Sequence, residues 1–149
     1  MIEVDERFEV LAPVETVYGL LADPYAVVGC VPGAAIVSQA DDGSLETTLT
    51  VKFGPLSVGF RAHVVLDLDA RQMCGRISAR GRDKQGGARF QSGATFEVQP
   101  SSAGSVVTIG GGVELSGRLA SLIESGAGTV VKRMSAEFAE CLRARCSTH

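Results

Sequence analysis

Leu119, Leu122, Ile123, Gly126, Val130, Met134, Phe138 and Leu142 fall three or four residues apart, while Glu124, Lys132, Arg133, Glu137, Glu140 and Arg143 take the other faces. That spacing predicts one long amphipathic helix. Burying its stripe would contribute gross stabilisation on the order of 10–20 kcal/mol. The rest of the chain has to supply the apolar surface that covers it.

Upstream, apolar and polar residues alternate over short runs. Residues 2–11 place Val4, Phe8 and Val10 on one face with charges between them, the pattern of a half-buried strand. Pro13 stands where a helix starts, because its missing N–H falls among donors that are unpaired there in any case. Val14, Val17, Tyr18 and Leu21 follow at helical spacing, and Asp23-Pro24 ends the run. A second short helix is expected over 25–29, closed by Val31-Pro32-Gly33. Six further strands are expected over 35–40, 45–53, 57–68, 73–82, 89–98 and 105–115. This order describes an α+β domain with its helices on one face of an antiparallel sheet. The 149 residues are the length of one such domain. Residues 1–146 are assigned to it, and 147–149 to a frayed C-terminus.

Fourteen basic against seventeen acidic residues leave a net charge of −3. A phosphate-binding surface would show a basic surplus, so nucleic acid is not an expected partner. No apolar run reaches the ~18 residues of a membrane-spanning helix. The first ten residues carry Glu3, Asp5, Glu6, Arg7 and Glu9, unlike a secretory leader. A cytoplasmic protein is expected. Cysteines 30, 74, 141 and 146 match no zinc or CxxC spacing, which predicts small buried or surface thiols. With only His63 and His149 beside them, no metal site is expected. Gly110-Gly111-Gly112 inside a strand predicts a bend, or the close approach of a helix or ligand. It is no phosphate loop, since no helix starts at its last glycine.

Several local sequences resemble one family. Ala12-Pro13-Val14-Glu15 through Leu20-Leu21-Ala22-Asp23-Pro24 resembles the first helix of the START-like (SRPBCC) superfamily and the Asp-Pro that ends it. Cys30-Val31-Pro32-Gly33-Ala34 resembles the C-[IV]-P-G turn of the carbon monoxide dehydrogenase G-subunit (CoxG) family. Val51-Lys52-Phe53-Gly54-Pro55 followed by Phe60 resembles its V-K-x-G-P hairpin, and Gly117-Arg118-Leu119-Ala120 its G-[RK]-L-A helix start. The resemblance covers nearly the whole chain. It implies a helix-grip fold, a curved antiparallel sheet of about seven strands wrapped around the long C-terminal helix, with two short helices after the first strand.

The resemblance also implies an accessory role beside molybdenum-containing dehydrogenases of the xanthine oxidase class. That role is to help assemble the dehydrogenase, or to recruit it to the inner face of the membrane through a bound quinone or other lipid. No tightly bound cofactor is expected. Many family members continue into a linker and a hydrophobic or amphipathic tail. This sequence departs from them, ending at Cys146-Ser147-Thr148-His149, so autonomous anchoring is not expected of it.

A sheet gripping a helix leaves a tunnel whose filling depends on side-chain size. Ala62, Ala79, Ala94, Gly111 and Gly126 are small residues expected to face it. They predict a cavity for an apolar, flat or chain-like molecule; the competing expectation is a closed core in which larger neighbours repack. The candidate ligand-binding residues are Phe53, Phe60, Val64, Phe90, Phe96, Leu119, Ile123, Met134 and Phe138, with Tyr18 able to hydrogen-bond a ligand carbonyl. A polyketide cyclase/aromatase-like enzyme using the same cavity is the alternative function. Acid–base catalysis needs titratable groups converging in a pocket, and the interior-facing positions hold almost none, so no catalytic residue is assigned. His63 shares the charged face of its strand with Arg61 and is expected in solvent. Candidate partner-binding residues are Pro32 and Gly33, in the uncharged turn, and Arg80 and Arg82. These two share a strand face with Arg76 and lie near Lys84 and Arg89. A solvated outer face is one reading of these arginines; docking to anionic lipid or to an acidic partner is the other.

Overall fold

The computed structural model describes residues 1–147. The elements run β1 (Ile2–Val10), α1 (Val14–Leu21), α2 (Pro24–Gly29), β2 (Ala34–Gln39), β3 (Leu45–Phe53), β4 (Leu56–Asp69), β5 (Cys74–Asp83), β6 (Arg89–Ser101), β7 (Gly104–Ser116) and α3 (Ala120–Ser147). Type and order are those the sequence patterns imply, with ends displaced by one to a few residues. Ser147 closes α3, so of the expected frayed terminus Thr148 and His149 lie outside the described residues.

Local chemistry explains the two short helices. The Pro13 carbonyl accepts the Thr16 and Val17 N–H groups at 3.1 and 3.2 Å and starts α1. Asp23 caps α2, its carboxylate accepting the Tyr25 N–H at 2.9 Å, and Pro24 follows at the first helical position. The strands form one antiparallel sheet in the order β1-β7-β6-β5-β4-β3-β2. α3 packs against β1 at one edge and against β3, next to the other edge. Seven strands at about 4.8 Å spacing are far wider than a helix about 10 Å across, so the sheet has to curl around α3 to touch it from both sides.

Glycines on β5 make room for aromatics on β6. Gly81 stands opposite Phe90 and Gly75 opposite Phe96 in the register. A Cβ on Gly81 would meet the Phe90 ring at 2.5 Å, and one on Gly75 the Phe96 ring at 2.7 Å. Each ring thus puts its far edge where a side chain would otherwise stand. Phe90 meets Phe60 edge to face, with centroids 5.1 Å apart. Phe96 enters the core formed by α1, β1, β6, β7 and the C-terminal half of α3.

Three expectations need correction. The α3 stripe runs through Ala127, which is fully buried, and not through Gly126, which is exposed. Its contact residues Ile123, Ala127, Val130, Met134, Phe138 and Leu142 advance mainly by fours, along the ridge a helix presents to a sheet. Gly111 serves neither helix nor ligand: a Cβ there would collide with the Gly93 carbonyl of neighbouring β6, so the close approach is between strands. Finally, Cys30 at the end of α2 and Cys141 on α3 form a disulfide, with Cα atoms 5.4 Å apart across a sequence separation of 111. Cys74 and Cys146 remain thiols, and burial raises the Cys146 pKa above its ordinary value.

Candidate functional site: an apolar cavity under the long helix

Between the sheet and α3 lies a cavity of about 300 Å³, at the lower end of the range for small-molecule sites. One core packs α1 and the C-terminal part of α3 against β1, β6 and β7. A second packs the β3–β4 hairpin against the N-terminal part of α3. Where the two meet, β6 presents the small side chains of Ser92 and Ala94 and the space stays open.

Every strand except β2 contributes to the lining. The sheet side carries Val4 from β1, Leu49, Val51 and Phe53 from β3, Phe60 from β4 and Ile77 from β5. Phe90, Ser92 and Ala94 come from β6, and Ile109, Val113 and Leu115 from β7. α3 closes the other side with Ala127, Val130, Val131, Met134, Ser135 and Phe138, and Val27 and Val31 form one end. None of these residues is titratable. The Ser135 hydroxyl donates to the Val131 carbonyl at 2.9 Å, within its own helix. Ser92 alternates inward between Phe90 and Ala94, and its hydroxyl has no partner among the described residues. The cavity therefore offers hydrocarbon and aromatic surface and a single free hydroxyl.

The structure brings together Phe53, Phe60, Phe90, Met134 and Phe138 around this space. The other five candidates lie elsewhere. Val64 packs with Val28 and Leu45 under α2. Phe96 sits in the core against Tyr18, with centroids 6.0 Å apart. Tyr18 is buried there and its hydroxyl donates to the Cys74 carbonyl at 3.0 Å, so no ligand carbonyl is needed to satisfy it. Burial, ahead of neighbouring charge, raises its pKa. Ile123 is a fully buried core residue of the hairpin cluster. Leu119 closes the β7–α3 junction, covering Gly87 and donating its N–H to the Gly87 carbonyl at 2.7 Å. Strand alternation alone would have supplied several lining residues that were not singled out, notably Val4, Ile109, Val113 and Leu115.

The Cys30–Ala34 turn holds one rim of the cavity. Cys30 is tied to α3, Val31 lines the space, and Gly33 adopts φ +80°. A side chain at Gly33 would run into the Thr50 carbonyl, and the Thr50 N–H donates to the Gly33 carbonyl at 3.0 Å. Pro32 is half-buried beside it. The turn is thus a splice between α2, α3 and β3.

The family model for the carbon monoxide dehydrogenase G-subunit (CoxG) matches residues 7–147. The chain belongs to the CoxG family. Solved structures agree on the fold of this CoxG-family chain. A conserved protein from Geobacillus kaustophilus superposes with TM-score 0.84 at 16% identity, over 98% of this chain and 95% of that one. The Zhui aromatase/cyclase from a Streptomyces strain gives 0.64 at 15% identity, over 97% and 93%. A START superfamily protein from Mycobacterium smegmatis gives 0.59 at 19% identity, over 98% and 97%. These likenesses establish the START-like helix-grip architecture. No curated protein sequence matches the chain.

On the opposite sheet face, Arg80 and Arg82 are exposed. His63 is half-buried there, with its Nδ1 2.6 Å from the Glu46 carboxylate, rather than free in solvent. No helix among the described residues is long and apolar enough to cross a membrane.

Proposed function

We propose that this CoxG-family protein is a non-catalytic carrier that holds a hydrophobic small molecule, a quinone or other lipid, in the cavity under α3. It serves a carbon monoxide dehydrogenase-like molybdenum hydroxylase in assembly or in recruitment to the membrane. The observation that carries this reading is the cavity itself: about 300 Å³, lined by apolar side chains apart from Ser92 and Ser135, with no acid or base in its lining. An apolar lining of this kind favours an uncharged hydrocarbon-rich guest. Family membership supports the dehydrogenase as partner. The cyclase reading would need a group to move protons, and the lining holds none. A cytoplasmic location at the inner membrane face would expose the Cys30–Cys141 bridge to the reducing thiol pools of that compartment.

Native mass spectrometry of the purified protein, with organic extraction of whatever is bound, tests the proposal. A discrete adduct, or uptake of menaquinone, ubiquinone or phospholipid on incubation, is the expected result. A mass that stays ligand-free with all three would overturn the carrier role.

A further inference from the structure

The sheet face turned away from α3 carries a groove of about 1220 Å³ over β4, β5 and β6, bounded by the loop containing Lys84. Its floor holds a row of arginines that the sequence cluster only partly foreshadowed. Arg82 stands opposite Arg61 on β4 and opposite Arg89 on β6. Three arginines therefore stand side by side on adjacent strands, their Cα atoms spanning about 10 Å. Arg80 is one step along the same face, opposite His63 and Gln91.

Like charges placed directly opposite on a sheet destabilise it. Nothing in the chain relieves this row: none of Arg61, Arg80, Arg82 and Arg89 forms an ion pair among the described residues. The three carboxylates near the groove do not neutralise it. Glu46 is held by His63, Asp83 accepts the Gly87 N–H at 2.6 Å and shapes its own loop, and Glu114 sits past Gln91 at the rim. Arg76 differs in its neighbours: the register puts Asp67 opposite it on β4 and Thr95 on β6, with no second arginine. On a chain of net charge −3, an unneutralised row of this kind lacks a counter-charge that a second molecule can supply.

We infer that the Arg61–Arg82–Arg89 row is the docking surface for an acidic segment of a partner protein. Discrete carboxylates match guanidinium forks two bonds at a time. A groove with Glu46 and Glu114 at its margins suits a segment whose charges fall between them, whereas a continuous anionic surface would meet those carboxylates as well. None of the large exposed apolar side chains (Met1, Leu11, Tyr25, Val37, Val65 and Leu68) lines the groove, so it lacks the residues that insert into a lipid interface. This deepens the accessory-protein reading by giving its docking face. It stands apart from the cavity, which lies on the other side of the sheet.

The test measures binding of a fluorescein-labelled poly-glutamate peptide to the full chain. Phosphatidylglycerol-containing vesicles and inorganic pyrophosphate serve as competing probes. Peptide binding that weakens with salt, and that falls by about tenfold or more in Arg82→Glu and in Arg89→Glu but stays within about twofold in Arg76→Glu, is the expected result. Arg82→Glu should also raise the Tm of the free protein by relieving the row, which separates lost binding from lost folding; Arg82→Gln gives the same readout without a new charge. Unchanged peptide binding in the reversals overturns the proposal. So does a lower Tm in both Arg82 variants, and so does vesicle or pyrophosphate binding through these arginines without peptide binding. Uptake of an apolar dye into the cavity is measured alongside: its absence in wild type would count against the carrier reading and leave the groove proposal intact.

Discussion

Ala94→Leu is the perturbation that most directly separates an open cavity from a closed core. Ala94 is half-buried on β6, lines the cavity, and lies between Ile77 on β5 and Gly111 on β7. Gly111 has no side chain, so a leucine at 94 extends over it into the open space. Three added carbons, at roughly 0.8 kcal/mol for each one buried, contribute about 2.4 kcal/mol. Overpacking strain in a tightly filled core costs about 1–3 kcal/mol. With about 300 Å³ available, the strain should fall at the low end, leaving stability within about 1 kcal/mol of wild type or slightly above it. Phe96→Ala is the counterpart. Its ring is 3% exposed, packs on Tyr18 and fills the place over Gly75, so its loss should cost about 3–5 kcal/mol. Urea denaturation followed by circular dichroism gives both stabilities, and fluorescence of N-phenyl-1-naphthylamine reports uptake into the cavity. The expected pattern is a double dissociation: Ala94→Leu keeps its stability and loses dye uptake, while Phe96→Ala loses stability and keeps uptake while folded. If Ala94→Leu were as destabilising as Phe96→Ala, or still took up dye like wild type, the space under α3 would not be the binding cavity described.

Alkylation of the denatured, unreduced protein should modify two cysteines, and of the reduced protein four. Cys30→Ser or Cys141→Ser should lower stability by about 2–4 kcal/mol in denaturant titration, because a bridge across a separation of 111 restricts the unfolded chain strongly. In the native protein Cys146 should react slowly with iodoacetamide near neutral pH, since burial holds it as the thiol. Gly81→Ala places a Cβ 2.5 Å from the Phe90 ring and 2.9 Å from the Arg61 carbonyl. It should destabilise by about 1–3 kcal/mol and change dye affinity in the same variant, because Phe90 lines the cavity. Asp42 accepts the Ser44 hydroxyl at 2.6 Å and the Ser44 N–H at 2.9 Å, and these bonds, led by the hydroxyl, hold its carboxyl below the ordinary 3.8. A lowered folded value means that the stabilisation is present above about pH 4 and is lost as pH falls through the folded value. The Tm difference between wild type and Asp42→Asn should therefore shrink below that pH; a constant difference would refute the assignment.

The reading of strands from alternation succeeded because this sheet buries only one face. Val58, Phe60, Ala62 and Val64 turn inward while Arg61 and His63 turn outward, and a period of two is visible in any such run. The helices announced themselves through Pro13, Asp23-Pro24 and the stripe on α3. The glycines were harder. A glycine in sequence shows that a side chain is missing, but not what fills the place: Gly81 accommodates a ring from β6, Gly111 a neighbouring strand, and Gly126 simply faces outward. Lining residues were half legible for the same reason. Phe60 and Phe96 look alike along the chain, yet one borders the cavity and the other is packed against Tyr18.

From its sequence alone the chain determined one antiparallel sheet, a covering helix and the CoxG resemblance, since all three are written in local periodicity and short motifs. Tertiary structure alone decided where the interior stays empty, which two cysteines meet and which arginines stand side by side. Those outcomes depend on residues far apart in the chain. Cys30 reaches Cys141, and Arg82 falls between Arg61 and Arg89, only once the sheet has taken its register and curled around α3.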